Sequence, residues 1–475
     1  SGFKARDAWQ RLPLQLQFFG DQLAGEQFFT RLETLRAEGA RRVEVLEVFH
    51  MCLLLGFKGK YLLDGPEKLN YEVARLGDES ASAVVMDCRN GEVLAMATNP
   101  AFDPTLFNAG VSQAQWQEWV KDRRSPLTNK ATSGLYAPGS TFKMAVALAA
   151  LEAKTVTPAD RVECPGWYDF GDTRFHCWRK GGHGMVDMYR SIVESCDTYY
   201  YTLARDMGVD LIYEHMKPLG FGQITGIDIL GESRGVLPST EWKRTTYKKA
   251  EQQRWYSGET ISLGIGQGYN SFTMLQLAHA TATIANHGLK MKPHIVREVL
   301  DVETKAPTPV AKEPIGQLPL SPENLDVIKR ALIGVNIEGT SASSFVGAQY
   351  VSAGKTGTAQ VYTVKQNEKY NAATVDERMR DHALYIAFAP ADEPKVALAM
   401  VVENSGFGAQ NAAPIARRVF DFVLLGQYPA VEDIEAVRNG QATRPIGKPR
   451  PVASVPWPPK AVAPEALLPD DEAVR

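Results

Sequence analysis

APGSTFKMAVALAALEA, Ala137–Ala153, is the stretch from which the rest of the chain can be read. Pro138-Gly139 suits a turn that opens a helix, and the Ala-rich run behind it reads as that helix, starting near Ser140. Ser140-Thr141-Phe142-Lys143 is an S-x-x-K match. Residues three apart on a helix share a face, so the Lys143 amine is expected beside the Ser140 hydroxyl. A serine hydroxyl is a poor nucleophile until a base takes its proton, and lysine serves when burial and nearby positive charge lower its pKa. Near the first turn, Ser140 would also feel the positive end of the helix dipole. Taken alone, the match is weak, since S-x-x-K arises by chance in long chains and reads first as an ordinary surface helix start.

Two companions change its weight. Ser195-Cys196-Asp197 is an S-x-[ND] triplet in a helical segment read over Asp187–Met207, and Lys355-Thr356-Gly357-Thr358 is a K-T-G-T run opening a strand. Singly these are polar helix residues and an edge-strand lysine. In this order, on helix, helix and strand, they make the signature of penicillin-binding proteins and serine β-lactamases.

The surrounding pattern is α+β. ASAVVMDCRNGEVLAMA (Ala81–Ala97) is a strand, an Asn90-Gly91 turn and a second strand. Strand pairs are read at Ser352–Tyr362 and Leu384–Glu403, and a further helix at Ser271–His287. Hairpins at both ends with helices between predict an antiparallel sheet covered by helices. Residues 1–78 carry apolar residues at helical spacing. From Tyr428 the chain is rich in Pro, Ala and charge, which predicts a disordered tail over 428–475. The expected domains are therefore 1–78, 79–427 and 428–475. With 475 residues and a net charge of −3, the chain has room for several domains and no general affinity for nucleic acid. The longest apolar run found, VFHMCLLLGF (Val48–Phe57), is too short to span a bilayer, and no anchor or signal peptide is read.

Residues from about Ala81 to Gln427 resemble the transpeptidase domain of class B penicillin-binding proteins, in particular the penicillin-binding protein 2 branch of the cell-elongation machinery. GEVLAMATNPAFDP (Gly91–Pro104), PLTNKATSGLYAPGSTFK (Pro126–Lys143), ESCDTYYY (Glu194–Tyr201), GIGQGYN (Gly264–Asn270) and GKTGTAQ (Gly354–Gln360) carry the likeness. The resemblance implies the penicillin-binding/serine β-lactamase-like fold and these roles: Ser140 the acylated nucleophile, Lys143 its general base, Ser195 a proton relay, and Asp197 in the usual Asn position. Lys355, Thr356, Gly357 and Thr358 belong to the strand motif, with Lys355, Thr356 and Thr358 binding the substrate carboxylate and backbone. By the same resemblance the N–H groups of Ser140 and Thr358 would form the oxyanion hole. It also implies peptidoglycan stem peptides and β-lactams as ligands, a RodA-type glycosyltransferase and the elongation complex as partners, and a periplasmic catalytic domain anchored in the inner membrane. WQRLPLQLQFFGDQLAGEQFF (Trp9–Phe29) and LEVFHMCLLLGFKGKYLLDGPEKL (Leu46–Leu69) instead resemble part of the cytoplasmic helical domain of the DotU family of secretion proteins.

Three of the five cysteines fall in one short region together with two of the eight histidines. Cys164, Cys177, His183 and Cys196 are separated by twelve, five and twelve residues, and Cys₃His is a normal ligand set for structural zinc. The spacing is no standard finger, so a disulfide or unpaired buried thiols are open readings. The resemblance implies zinc, with His183 preferred to His176. Such a site would pin the loop 164–183 to the helix presenting Ser195 and Asp197. Cys52 and Cys88 read as plain core residues. The leading function is a DD-transpeptidase; the alternatives are a DD-carboxypeptidase or β-lactamase, in which water is the acceptor, and a non-catalytic secretion-associated protein.

Overall fold

The computed structural model describes residues 80–102, 106–301, 303–304, 306–361 and 376–454. The helical reading of 1–78, Cys52 within it, and residues 455–475 lie outside them. Five strands form the main sheet: β1 (Ala81–Asp87), β2 (Val93–Asn99), β3 (Ala353–Ala359), β4 (His382–Ala389) and β5 (Val396–Val402). Their order is β3-β4-β5-β1-β2, every neighbouring pair antiparallel. The sequence expectation of a strand pair at Ser352–Tyr362 is corrected to the single strand β3. Among the described residues it pairs with β4 alone, and no strand pairs with its outer edge.

Alternation along the strands sorts side chains to two faces. Val84, Met86, Leu384, Ile386 and Phe388 join the larger core, and Ala83, Val85, Tyr385 and Ala387 a second one. Both faces are apolar, so both are covered. The larger core receives α1 (Lys143–Glu152), α2 (Met188–Val193), α3 (Asp197–Met216, interrupted at Gly208), α4 (Met274–Ala285) and α5 (Pro322–Ile337). The second is covered by α6 (Ala413–Leu425). Every residue of α1 from Lys143 to Leu151 is buried, as a helix apolar on all sides must be.

Two local readings need correction. The helix expected over Asp187–Met207 is two, α2 and α3, separated by Ser195 at φ +55°. The bonds Cys196 N–H to Ser191 O (2.9 Å) and Ser195 N–H to Ile192 O (3.2 Å) close α2 in a Schellman-type turn, which needs a left-handed residue. The tail is not disordered from Tyr428. Residues 431–438 form α7 (Val431–Arg438), and Gln427–Tyr428 pairs with Arg450–Pro451. What holds this segment is a buried ion pair from α6, Arg418 Nη2 to Asp433 Oδ1 at 2.6 Å, with Tyr428 buried beside it in sequence. Composition averages over such a long-range pair and misses it. Among the described residues no helix is long and apolar enough to cross a membrane.

Candidate active site and metal centre

Ser140 lies in a 3-10 turn, Gly139–Phe142, that leads into α1, rather than within a regular α-helix. Gly139 has φ +52°, and a Cβ there would fall on the Thr358 carbonyl oxygen. A Cβ on Gly266 would likewise fall on the Gly139 carbonyl oxygen, and Gly139 N–H donates to Gly266 O at 3.0 Å. The turn is thus clamped between two backbones. Ser140 is half-buried and its hydroxyl makes no hydrogen bond among the described residues.

Lys143 is fully buried behind it, with its amine donating to Ser195 O (2.8 Å), Ser195 Oγ (3.2 Å) and Asp197 Oδ1 (2.6 Å). The expected juxtaposition with Ser140 is therefore not a hydrogen bond; the amine spends its three protons on the α2–α3 junction. Lys355, also fully buried, donates to Ser195 Oγ at 2.9 Å and to Thr356 O at 3.1 Å. Ser195 Oγ accordingly sits between two amines. Its left-handed backbone turns it there, an instance of strain at a functional position.

Burial raises the Asp197 carboxyl, opposed by the Lys143 charge, while burial and then Lys143 hold the Lys355 amine well below the usual lysine range. Asp197 is the first residue of α3, where the dipole favours a carboxylate, and its Oδ2 accepts the Trp178 N–H at 2.8 Å.

The outer edge of β3 faces this cluster. Thr358 O accepts from Gln267 Nε2 at 3.1 Å. In a strand the N–H and C=O of one residue point the same way, so the Thr358 N–H also turns from β4 toward the Ser140 turn. Thr356 Oγ1 pairs with Thr340 Oγ1 at 2.7 Å. Gly357 leaves room for Thr141 and Pro138, against which a Cβ would press. The residue readings missed Trp178, Gln267 and Thr340 as site members. Gln267 lies within a quoted stretch, GIGQGYN, but nothing local marks the others.

The four sulfur and nitrogen positions converge. Cys164 ends a short strand, Val162–Cys164, paired with Gly184–Val186, and His183 N–H donates to Cys164 O at 3.0 Å. Cys177 follows the strand Thr173–His176, and Cys196 is the N-cap of α3. All four are buried, and one donor atom from each lies within 4.8 Å of the others. His183 Nδ1 is 3.5 Å from both Cys164 Sγ and Cys177 Sγ. Zn–S bonds of about 2.3 Å and Zn–N bonds of about 2.0–2.1 Å put tetrahedral ligands about 3.5 Å apart, so the donor set fits zinc. Among the described residues these thiols form no disulfide. A hydrogen bond from Cys196, against the cost of burial and with help from His183, pulls the Cys177 thiol down toward the thiolate a metal requires. Among the described residues His183 Nε2 has no hydrogen-bond partner, with Glu194 Oε2 4.0 Å away. Trp178, next to Cys177, links this cluster to the first: besides its bond to Asp197, its indole N–H donates to Ser195 O at 3.1 Å.

Residues 81–421 match the penicillin binding protein transpeptidase domain. The chain belongs to that family. A peptidoglycan D,D-transpeptidase MrdA of Acinetobacter baumannii is 41% identical over 355 residues, covering 74% of this chain and 52% of the relative. The transpeptidase-family chain thus spans about half the length of that curated relative. Among solved structures, Pseudomonas aeruginosa PBP2 in complex with WCK 5153 superposes with a TM-score of 0.66 at 38% identity, covering 76% of this chain and 74% of that one. The Helicobacter pylori PBP2–MreC complex gives 0.65 at 30%, covering 76% and 63%. Residues 1–119 match the Type VI secretion system protein DotU. That match runs past the expected boundary at 78, yet β1 and β2 lie within it and pair into the transpeptidase-family sheet.

Proposed function

We propose that this chain is a serine D,D-transpeptidase that cross-links peptidoglycan stem peptides in cell elongation. The observation that carries the reading is Ser195 Oγ held between the Lys143 and Lys355 amines, behind a half-buried Ser140 whose hydroxyl is free. Ser140 Oγ attacks the D-Ala-D-Ala carbonyl. Its proton goes to Lys143, which must first be neutral; Asp197 and Ser195 hold that amine in place. The Ser140 and Thr358 N–H groups receive the oxyanion, a contribution of about 3–4 kcal/mol per donor in other acyl-transfer enzymes. Lys143 returns that proton through Ser195 Oγ, which gives its own to the leaving D-Ala amine and takes one from Lys143, and Lys355 and Thr356 bind the terminal carboxylate. An amine of a neighbouring stem peptide then attacks the ester, releasing Ser140. A β-lactam acylates the same oxygen.

Cys164, Cys177, His183 through Nδ1, and Cys196 would hold a structural zinc, which supplies a closed four-ligand crosslink and no reactive water. A disulfide would pair two of the thiols and leave a third with the imidazole aimed at the bridge. The periplasmic face of the inner membrane, an MreC-type scaffold and a RodA-type glycosyltransferase complete the reading.

A fluorescent penicillin tests it. The chain should be labelled stoichiometrically and slowly released, and Ser140→Ala should abolish labelling with melting unchanged. Rapid turnover would assign a β-lactamase instead, and no acylation at all a non-catalytic protein.

A further inference from the structure

Outside the catalytic cluster, residues 240–256 form a short helical excursion with five basic residues against two acidic. Its interior is a lysine in an aromatic cage. Lys243 is buried, its amine 2.6 Å from Glu259 Oε2 and 5.4–5.5 Å from the ring centres of Trp255, Tyr256 and Tyr269. Trp242 lies beside Tyr269, the ring centres 5.2 Å apart and the planes tilted by 56°. This cage fixes the rings as plates: Tyr269 OH and Trp255 Nε1–H are tied to Glu259 and Thr260 at 2.9 and 2.8 Å. On the outer side Tyr256 is the exposed ring of the three, while Trp255 and Tyr269 are half-buried. Tyr256 is 50% exposed, the Arg254 guanidinium lies over its ring at 5.3 Å, and Lys248, Lys249 and Arg254 make no ion pair among the described residues.

The cage is continuous with the catalytic cleft. Tyr269 and Gln267 belong to one turn, and Gln267 is the residue bonded to the Thr358 carbonyl on the free edge of β3. Rigid amphipathic rings offer flat apolar faces with polar rims, which suit sugar rings. The unpaired cations suit carboxylates, whose attraction reaches roughly 10 Å at moderate salt.

The geometry points to this surface as a binding platform for a sugar chain carrying anionic peptides, next to the catalytic cleft: the rings take the sugars and Lys248, Lys249 and Arg254 the peptide carboxylates. The inference rests on the transpeptidase reading, and names a binding surface for its polymeric substrate beyond the reacting stem.

The test uses the full chain and two readouts, anisotropy of a fluorescent disaccharide pentapeptide and acylation by penicillin. Lys248→Glu/Lys249→Glu and Tyr256→Ala should each weaken glycopeptide binding about tenfold or more, a modest free-energy change by affinity arithmetic. Raising salt should weaken wild-type binding, and more so than it weakens the double variant. Acylation rates should be unchanged in both. Absent wild-type binding, or affinity unchanged in both variants, overturns the proposal. So does binding to phosphatidylglycerol vesicles that is lost in the variants while glycopeptide affinity is kept, since that assigns the surface to a membrane. A wild-type chain that binds glycopeptide but never acylates refutes the reading of Ser140 and leaves the platform standing.

Discussion

Lys355 Nζ and Ser195 Oγ, 160 residues apart, meet at 2.9 Å, joining the free edge of the sheet to the junction between two helices. The same junction accepts the Lys143 amine through Ser195 O and Asp197 Oδ1. The site is therefore three separate elements held by buried lysine amines, and each contact can be broken individually.

Asp197 uses both oxygens as acceptors, for the Lys143 ammonium and for the Trp178 N–H. Asn can accept on one side only and would set an N–H against the other donor. Asp197→Asn should cost about 1–3 kcal/mol, the range for a buried group left unmet. Asp197→Ala leaves a buried ammonium without its counter-charge and should cost about 3–5 kcal/mol. Thermal melting with penicillin acylation checks this. Equal stability of the two variants would count against the paired-acceptor account.

The metal reading predicts about one zinc per chain by elemental analysis of purified protein. Cys177→Ser should lower zinc content and melting temperature together, because metal binding is coupled to folding of the ligand-bearing loop. Acylation should slow as well, since Trp178 follows Cys177 and bonds both Asp197 and Ser195. Metal-free protein that gains two hydrogens on reduction would show a disulfide in its place.

His279 is buried in α4, with Nε2 2.7 Å from Met291 O and Nδ1 without a hydrogen-bond partner. Burial, then the charge of Lys290, lowers its pKa from 6.5 to about 4. A base lowered in the folded state stays neutral there while the unfolded chain takes up a proton. Its contribution is whole above the unfolded value and is lost as pH falls from 6.5 toward 4. Between pH 7 and pH 5 the loss is about 2 kcal/mol. His279→Gln keeps a donor for Met291 O and cannot titrate, so its stability should fall less over the same interval in denaturant melts. Parallel pH dependence in both proteins would remove His279 as the cause.

The Arg418–Asp433 pair is nearly inaccessible on both sides, and Asp433 Oδ1 also accepts the Ile446 N–H at 3.0 Å. Asp433→Ala strands the guanidinium and should cost about 3–5 kcal/mol. Limited proteolysis should then cut between 428 and 454 at sites protected in the wild type. Unaltered protection would mean that α7 is held by its apolar contacts.

Local chemistry made much of the site readable. Ser140 with Lys143, Ser195 with Asp197, and Lys355 with Thr356 and Thr358 each lie within four residues, so spacing alone grouped them. The Cys₃His set stood out as three of the five cysteines falling between 164 and 196, and its reading as a zinc site came from the family resemblance, not from its spacing. The positive φ of Ser195 was not visible, because no Gly or Asn marks the position where the backbone turns left-handed to reach two lysines. Trp178 and Thr340 were missed since their roles arise only when distant loops meet. The tail misled through composition: Tyr428 and Ile434 are few among prolines and charges, yet α6 offers them a place to pack.

The main-chain clamp of Gly266, Gly139 and Thr358 has an evolutionary consequence. Where a nucleophile is positioned by side chains, a lineage under drug pressure can reshape the pocket by exchanging them one at a time. Here any side chain at Gly139 or Gly266 collides with a carbonyl oxygen of the neighbouring backbone. Those two positions are closed to such variation, and selection for reduced acylation has to work through the walls, at residues such as Trp178 and Thr340, while the turn carrying Ser140 stays as it is.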